Sequence, residues 1–193
     1  MPLIMPMTFL TKAAALAAFL LSPLAPMHEL QDNRATLVLR DKTHLSVTLY
    51  LNFTDALHRA LGGTRTRNEF VLAYSAMPAR DLHRELARAE QRFAAQTKIA
   101  AANGAAVTLE SWKWPTVSEV QRLLQQQAMQ LVVAPNEHAY EQPLEIHAEA
   151  IAQQAITTVT VKFPVEFQRV LVVSYTPKQV WVEANGVAPP IRF

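Results

Sequence analysis

His44-Leu45-Ser46-Val47-Thr48-Leu49-Tyr50-Leu51-Asn52-Phe53 decides the fold class. Leu45, Val47, Leu49, Leu51 and Phe53 alternate without a break with Ser46, Thr48, Tyr50 and Asn52. Successive side chains of a strand point to opposite faces, so this stretch builds a strand with one buried and one wet side. Ala35 to Arg40 precedes it with Leu37 and Leu39 in phase, and Asp41-Lys42 supplies a hairpin turn.

Downstream the period changes. Thr54 can cap a short helix that ends at Gly62-Gly63. Thr66-Arg67-Asn68-Glu69 is a capping box, in which hydroxyl and carboxylate each satisfy an orphan backbone amide ahead of Phe70-Val71-Leu72-Ala73-Tyr74. Pro78 fits the first turn of a longer helix through Gln96, with Leu82, Leu86, Ala89 and Phe93 on one face. Asn103-Gly104 joins two strands, Thr97 to Ala102 and Ala106 to Trp114. A second capping box, Thr116 to Glu119, opens a helix expected to give way near Met129 to a strand through Val133. Four short strands close the chain: Leu144 to Ile151, Thr157 to Phe163, Arg169 to Tyr175 and Gln179 to Val182. The expected class is α+β, an antiparallel β-sandwich-like frame with a helical insertion over about residues 54–96.

The front of the chain reads as an export address. Lys12 precedes the apolar run Ala13 to Leu21, which Ser22, Pro23 and Pro26 break. The run is far shorter than the ~20 residues of a spanning helix. Residues 1–27 are therefore expected to be a signal peptide, cleaved near Met27–His28 or retained as an N-terminal anchor, with residues 28–193 as one strand-rich domain. The expected location is periplasmic or secreted, and no later segment is long and apolar enough to span a bilayer.

The chain has no cysteine, which excludes disulfides, thiolate metal sites and cysteine nucleophiles. After Lys12 it carries 17 basic and 16 acidic residues, a balance that gives nucleic-acid binding no support. Charge is uneven: residues 57–98 hold eight basic and four acidic side chains, residues 101–160 two and six, so opposite poles facing each other are expected. No nucleophile-elbow glycine pattern, HExxH or phosphate-binding glycine loop is present, so nothing supports an enzyme. Asn52-Phe53-Thr54 matches a glycosylation sequon by pattern alone.

Four groups of residues are candidates for binding. A free N-terminus at His28 would offer its amine and imidazole to a metal, copper most naturally; otherwise His28 heads a loose terminus. Glu145, His147 and Glu149 share one strand face, and with His138 and Glu141 nearby could hold copper or zinc, or simply form a solvated face opposite Leu144, Ile146 and Ala148. Trp112 and Trp114, on the strand face that carries Thr108 and Glu110, form either a partner-binding platform or a surface covered by the helix starting at Thr116. Arg80, Arg84, Arg88 and Arg92 recur every four residues as a basic ridge, which suits anionic lipid or an acidic partner, or is a solvated face paired with Asp81, Glu85 and Glu90.

His28-Glu29-Leu30, then Ala35-Thr36-Leu37-Val38-Leu39 and an alternating strand, resembles the exported N-terminal domain of hydrogenase/urease-accessory (HupE/UreJ-type) proteins; Arg169 to Tyr175 is similar to a late core strand there. The family's multi-helix membrane half has no counterpart in the chain. The resemblance implies an exported accessory domain acting beside a membrane protein or another exported protein. The function expected is thus non-enzymatic partner binding, with small-scale metal handling through His28 or the His138/Glu145/His147/Glu149 region as the alternative.

Overall fold

The computed structural model describes residues 33–102, 104–133, 142–178, 182 and 184. Strand β1 (Asn33–Arg40) and strand β2 (His44–Leu51) form the expected hairpin, with Arg40 opposite His44. Asp41 and Lys42 turn it with φ of 48° and 60°. Non-glycine residues adopt that backbone rarely. Two distant amides hold it, Ile156 N–H donating to Lys42 O at 2.7 Å and Ala152 N–H to Thr43 O at 2.9 Å.

Helix α1 (Phe53–Leu61) is capped two positions before the expected residue. The Asn52 side chain, not Thr54, accepts from Asp55 N–H at 3.1 Å. Thr54 lies inside the first turn, fully buried, and its hydroxyl accepts from Gln127 Nε2 at 3.0 Å. The alternation of β2 carries Phe53 into the core, and Asn52 then has the free side chain a cap requires. Helix α2 (Arg67–Ser75) opens on the expected capping box, with Thr66 N–H donating to Glu69 Oε2 at 2.8 Å. Helix α3 (Ala79–Gln96) follows Pro78 and buries Leu82, Leu86, Ala89 and Phe93, the stripe read from the sequence.

The stretch 106–114 is two strands rather than one. After β3 (Lys98–Ala101), the short β4 (Ala106–Val107) pairs with it, the chain leaves the ladder at Thr108 and Leu109, and β5 (Glu110–Lys113) joins a different sheet. Helix α4 (Val117–Val133) is capped as expected, Thr116 N–H donating to Glu119 Oε2 at 2.7 Å. It does not yield to a strand near Met129. Val120, Leu124, Ala128 and Leu131 continue one helical face against the core, leaving Met129, Val132 and Val133 exposed.

Strand β6 (Leu144–Ile151), strand β7 (Val159–Lys162), a 3-10 turn (Val165–Phe167) and strand β8 (Val170–Tyr175) complete the described elements. The expected strand Gln179–Val182 lies outside the described residues apart from Val182, which is in no strand. Two sheets result, five strands ordered β5-β6-β2-β1-β8 and three ordered β4-β3-β7. All pairs are antiparallel except β1 with β8. The class is α+β. One core holds the inner face of the large sheet (Leu37, Val47, Leu49, Ile146), the helices (Phe70, Leu86, Phe93, Leu124) and the small sheet (Ile99, Val107). The helices and small sheet thus cover one face of the large sheet, and among the described residues no element covers the other.

Candidate functional site

The face of the large sheet that no described element covers gathers most of the polar candidates. Strand pairing sets Tyr50 opposite Glu145, Thr48 opposite His147 and Ser46 opposite Glu149, all pointing away from the core. Cross-strand neighbours of this kind lie within reach of one another, and here they bond. His44 Nε2 lies 2.8 Å from Glu149 Oε2, and the Ser46 hydroxyl donates to Glu149 Oε1 at 3.0 Å. His147 Nε2 lies 3.1 Å from Glu145 Oε1, its Nδ1 lies 3.2 Å from the Thr48 hydroxyl, and the Tyr50 hydroxyl donates to Glu145 Oε1 at 3.3 Å. The Arg34 guanidinium sits over the Tyr50 ring, 4.4 Å from its centroid. The ladder holds its own members in place, which lowers the ordering cost of any ligand it meets.

Sequence reasoning singled out Glu145, His147 and Glu149 but missed His44, Ser46 and Thr48. The signal was present: His44 to Tyr50 has the same period, and an antiparallel partner with an exposed polar row must sit beside another such row. The structure splits the expected trio. Glu145 pairs with His147, whereas Glu149 pairs with His44 on the adjacent strand. Among the described residues, no three or more His, Asp or Glu side chains converge as a metal site would require. His28, His138 and Glu141 lie outside the described residues.

Two contacts on this face look like parts of a catalytic relay, and their geometry limits them. In the first, the Glu149 carboxylate stands between Ser46 and His44, so the imidazole does not touch the hydroxyl it would have to deprotonate. In the second, Thr48, His147 and Glu145 do stand in the order of nucleophile, base and orienting acid. They occupy a strand face whose backbone groups belong to the β2–β6 ladder, so the ladder itself offers no free pair of amides to a developing oxyanion.

At one end of the ladder lies a cleft of about 640 Å³, lined by Ala101, Val107, Thr108, Glu110, Glu149 and Gln154 among others. Ligand sites span about 300–1,000 Å³. Its walls come from the β3–β4 connection and the segment after β6, and Glu110 and Glu149 face each other across β5 and β6. Glu149 therefore belongs to both the ladder and the cleft.

The tryptophans turn the other way from their expected face. Ser111 has a φ of 51°, and the β5–β6 register slips there, pairing Glu110 with Glu149 but Lys113 with His147. Such a bulge inserts one extra residue and flips the phase of the residues beyond it. Lys113 takes the polar face with Glu110, and Trp112 and Trp114 are packed against the core, their rings stacked 5.0 Å apart at 9°. Trp114 lies 6.4 Å from Phe93 of α3. Both are half-buried.

On α3, Arg84 pairs with Asp81 at 2.5 Å and Arg88 with Glu85 at 3.1 Å, so these two cations are partly neutralised where they stand. Arg92 reaches the buried Glu166 of the 3-10 turn. Among the described residues, arginines of the basic segment pair with Asp55, Asp81, Glu85 and Glu166.

Glu90, on the same helix, has its carboxyl held above the usual range by burial, with His83 opposing in part. A carboxyl whose folded pKa is raised binds protons more tightly in the folded state. Its ionisation therefore costs stability, a cost absent at low pH and incurred as pH rises from the unfolded value through the folded one. We expect Glu90→Gln to raise the melting temperature at neutral pH and to lose that advantage in acid. An equal gain at both pH values would show that charge is not the cause. Glu69 and Glu119, held low by their capping threonines, have the opposite sign: their contribution is present above the ordinary carboxylate range and lost as pH falls through the folded value.

Among the described residues, no helix is long and apolar enough to cross a membrane. No family model, curated protein or solved structure matches the chain.

Proposed function

We propose that this chain is an exported, non-enzymatic accessory domain that binds a partner through the open face of its five-stranded sheet. The single observation carrying the reading is the bonded ladder of His44, Ser46, Thr48, Tyr50, Glu145, His147 and Glu149, which lies on a broad face with no cover among the described residues and runs into the cleft at Glu110. An ordinary solvated strand face carries mobile side chains; this one is preorganised. Two sheets sharing one core, in a sandwich-like frame, give that face a rigid backing. The leader-like residues 1–27 support export. The resemblance to HupE/UreJ-type exported domains supports a membrane protein or another exported protein as partner.

The test has two parts. Fractionation and mass spectrometry of the mature N-terminus should find the chain outside the cytosol, beginning near His28. Affinity capture from the same envelope fraction should recover a specific partner, lost with His147→Ala or Glu149→Lys and kept with Arg84→Glu. Recovery of the chain in the cytosol with residues 1–27 intact overturns export. A partner indifferent to both ladder variants overturns the assignment of the face. Copper and zinc titrations of wild type against His28→Ala and His147→Ala address the metal alternative, which requires affinity to fall in one of them.

A further inference from the structure

The two edges of the large sheet are built differently. The β5 edge carries Glu110 and Lys113 and bends at the Ser111 bulge. Charges and bulges are the devices that keep a strand edge from pairing with another chain. The β8 edge has neither. Val170-Leu171-Val172-Val173-Ser174-Tyr175 contains no charge, proline or glycine. It pairs only with β1, so its far row of backbone N–H and C=O groups has no strand partner among the described residues.

Both faces of β8 are also open. Leu171, Val173 and Tyr175 align with Arg34, Thr36 and Val38 on the outer face, and each is at least 40% exposed. Val172 aligns with Ala35, which is fully buried, yet Val172 itself is 45% exposed. The helical layer therefore stops short of this edge, and a strand laid beside β8 would gain backbone bonds and apolar cover together.

We infer that β8 pairs antiparallel with β8 of a second copy of this chain, joining two five-stranded sheets into one continuous sheet. Charge and symmetry select this occupant. A two-fold axis perpendicular to the sheet near Val172 and Val173 sets an uncharged strand against itself, with no like charges opposed. Arg169 and Lys178 fall beyond the paired residues. The same axis keeps the outer faces on one side, so two polar ladders would share one surface and bind a repeated or symmetric partner with avidity. Only that last consequence depends on the proposed function; the pairing itself does not.

Sedimentation equilibrium of the purified protein over a wide concentration range tests it, with amide exchange across β8. Wild type should approach twice the chain mass, and β8 amides should slow as concentration rises. Val173→Lys, outward-facing and exposed, should leave the melting curve unchanged at dilutions where wild type is monomeric and weaken association by about tenfold or more. A wild type that stays monomeric overturns the inference, whether β8 amides are fast or already protected. A dimer that survives Val173→Lys also overturns it, because the contact then lies elsewhere.

Discussion

Phe93→Ala is expected to lower folding stability by about 3–5 kcal/mol, the range for removing a buried aromatic ring from a core. Phe93 is fully buried and closes the stripe of α3. Its ring lies 4.9 Å from Phe167 of the 3-10 turn and 6.4 Å from Trp114 after β5. One side chain thus joins the helix, the turn that leads into β8 and the segment that leads into α4. The surrounding elements are tied down separately, Phe167 by Asn33 Nδ2 donating to its carbonyl at 2.6 Å. Collapse into the void is therefore restricted, and the cavity term stays large. For a domain of this size each kcal/mol lowers the melting point by about 2–4 °C, so a fall of about 10 °C is expected. Thermal and urea unfolding, followed by tryptophan emission and circular dichroism, measure it. A loss below about 1 kcal/mol would mean that Phe93 does not fill the centre of this contact.

The second large effect lies one residue away. Arg92 pairs with Glu166, whose side chain is almost wholly buried and whose second oxygen, Oε2, has no hydrogen-bond partner among the described residues. Arg92→Ala leaves that carboxylate buried with its ion-pair partner gone. Losing one side of a fully buried pair costs about 3–5 kcal/mol, and because Arg92 itself is half exposed we expect about 2–3 kcal/mol. The decisive comparison is the double variant Arg92→Met/Glu166→Met. Replacing both charges with apolar groups of similar length should recover most of the loss. If the double variant is as unstable as Arg92→Ala, the buried charge is not the cause. Phe93 and Arg92 hold the same 3-10 turn, so the losses from Phe93→Ala and Arg92→Ala should not add.

That turn shows why part of the fold was unreadable from residues alone. The parallel pairing of β1 with β8 joins residues more than 130 positions apart, from Asn33 with Val170 to Val38 with Tyr175. Alternation within β8 specifies a strand and its two faces but not its neighbour. The neighbour is chosen by the anchors at Phe167, Glu166 and Asn33, none of which has a local signature. The same holds at the polar face. The Glu145–His147–Glu149 row was legible, but whether its members converge on one ion or pair separately depended on what β2 set opposite them. His44 drew Glu149 away.

Local chemistry accounts for the parts that could be read directly: the β1–β2 hairpin, both capping boxes, the α3 stripe and strand β6. In each, the deciding interaction spans at most a few residues, whether a hydroxyl on a nearby amide, an apolar side chain every third or fourth position, or alternation across a pleat. Tertiary structure decided the remainder. The bulge at Ser111 exists because β5 must meet β6 in register after leaving the small sheet, and it turned Trp112 and Trp114 inward. Asn52 caps α1, while Thr54, the cap expected from the sequence, is buried and bonded to Gln127, 73 residues away. A side chain with two possible partners takes the one that the whole fold brings within bonding distance, and sequence separation carries no information about that distance.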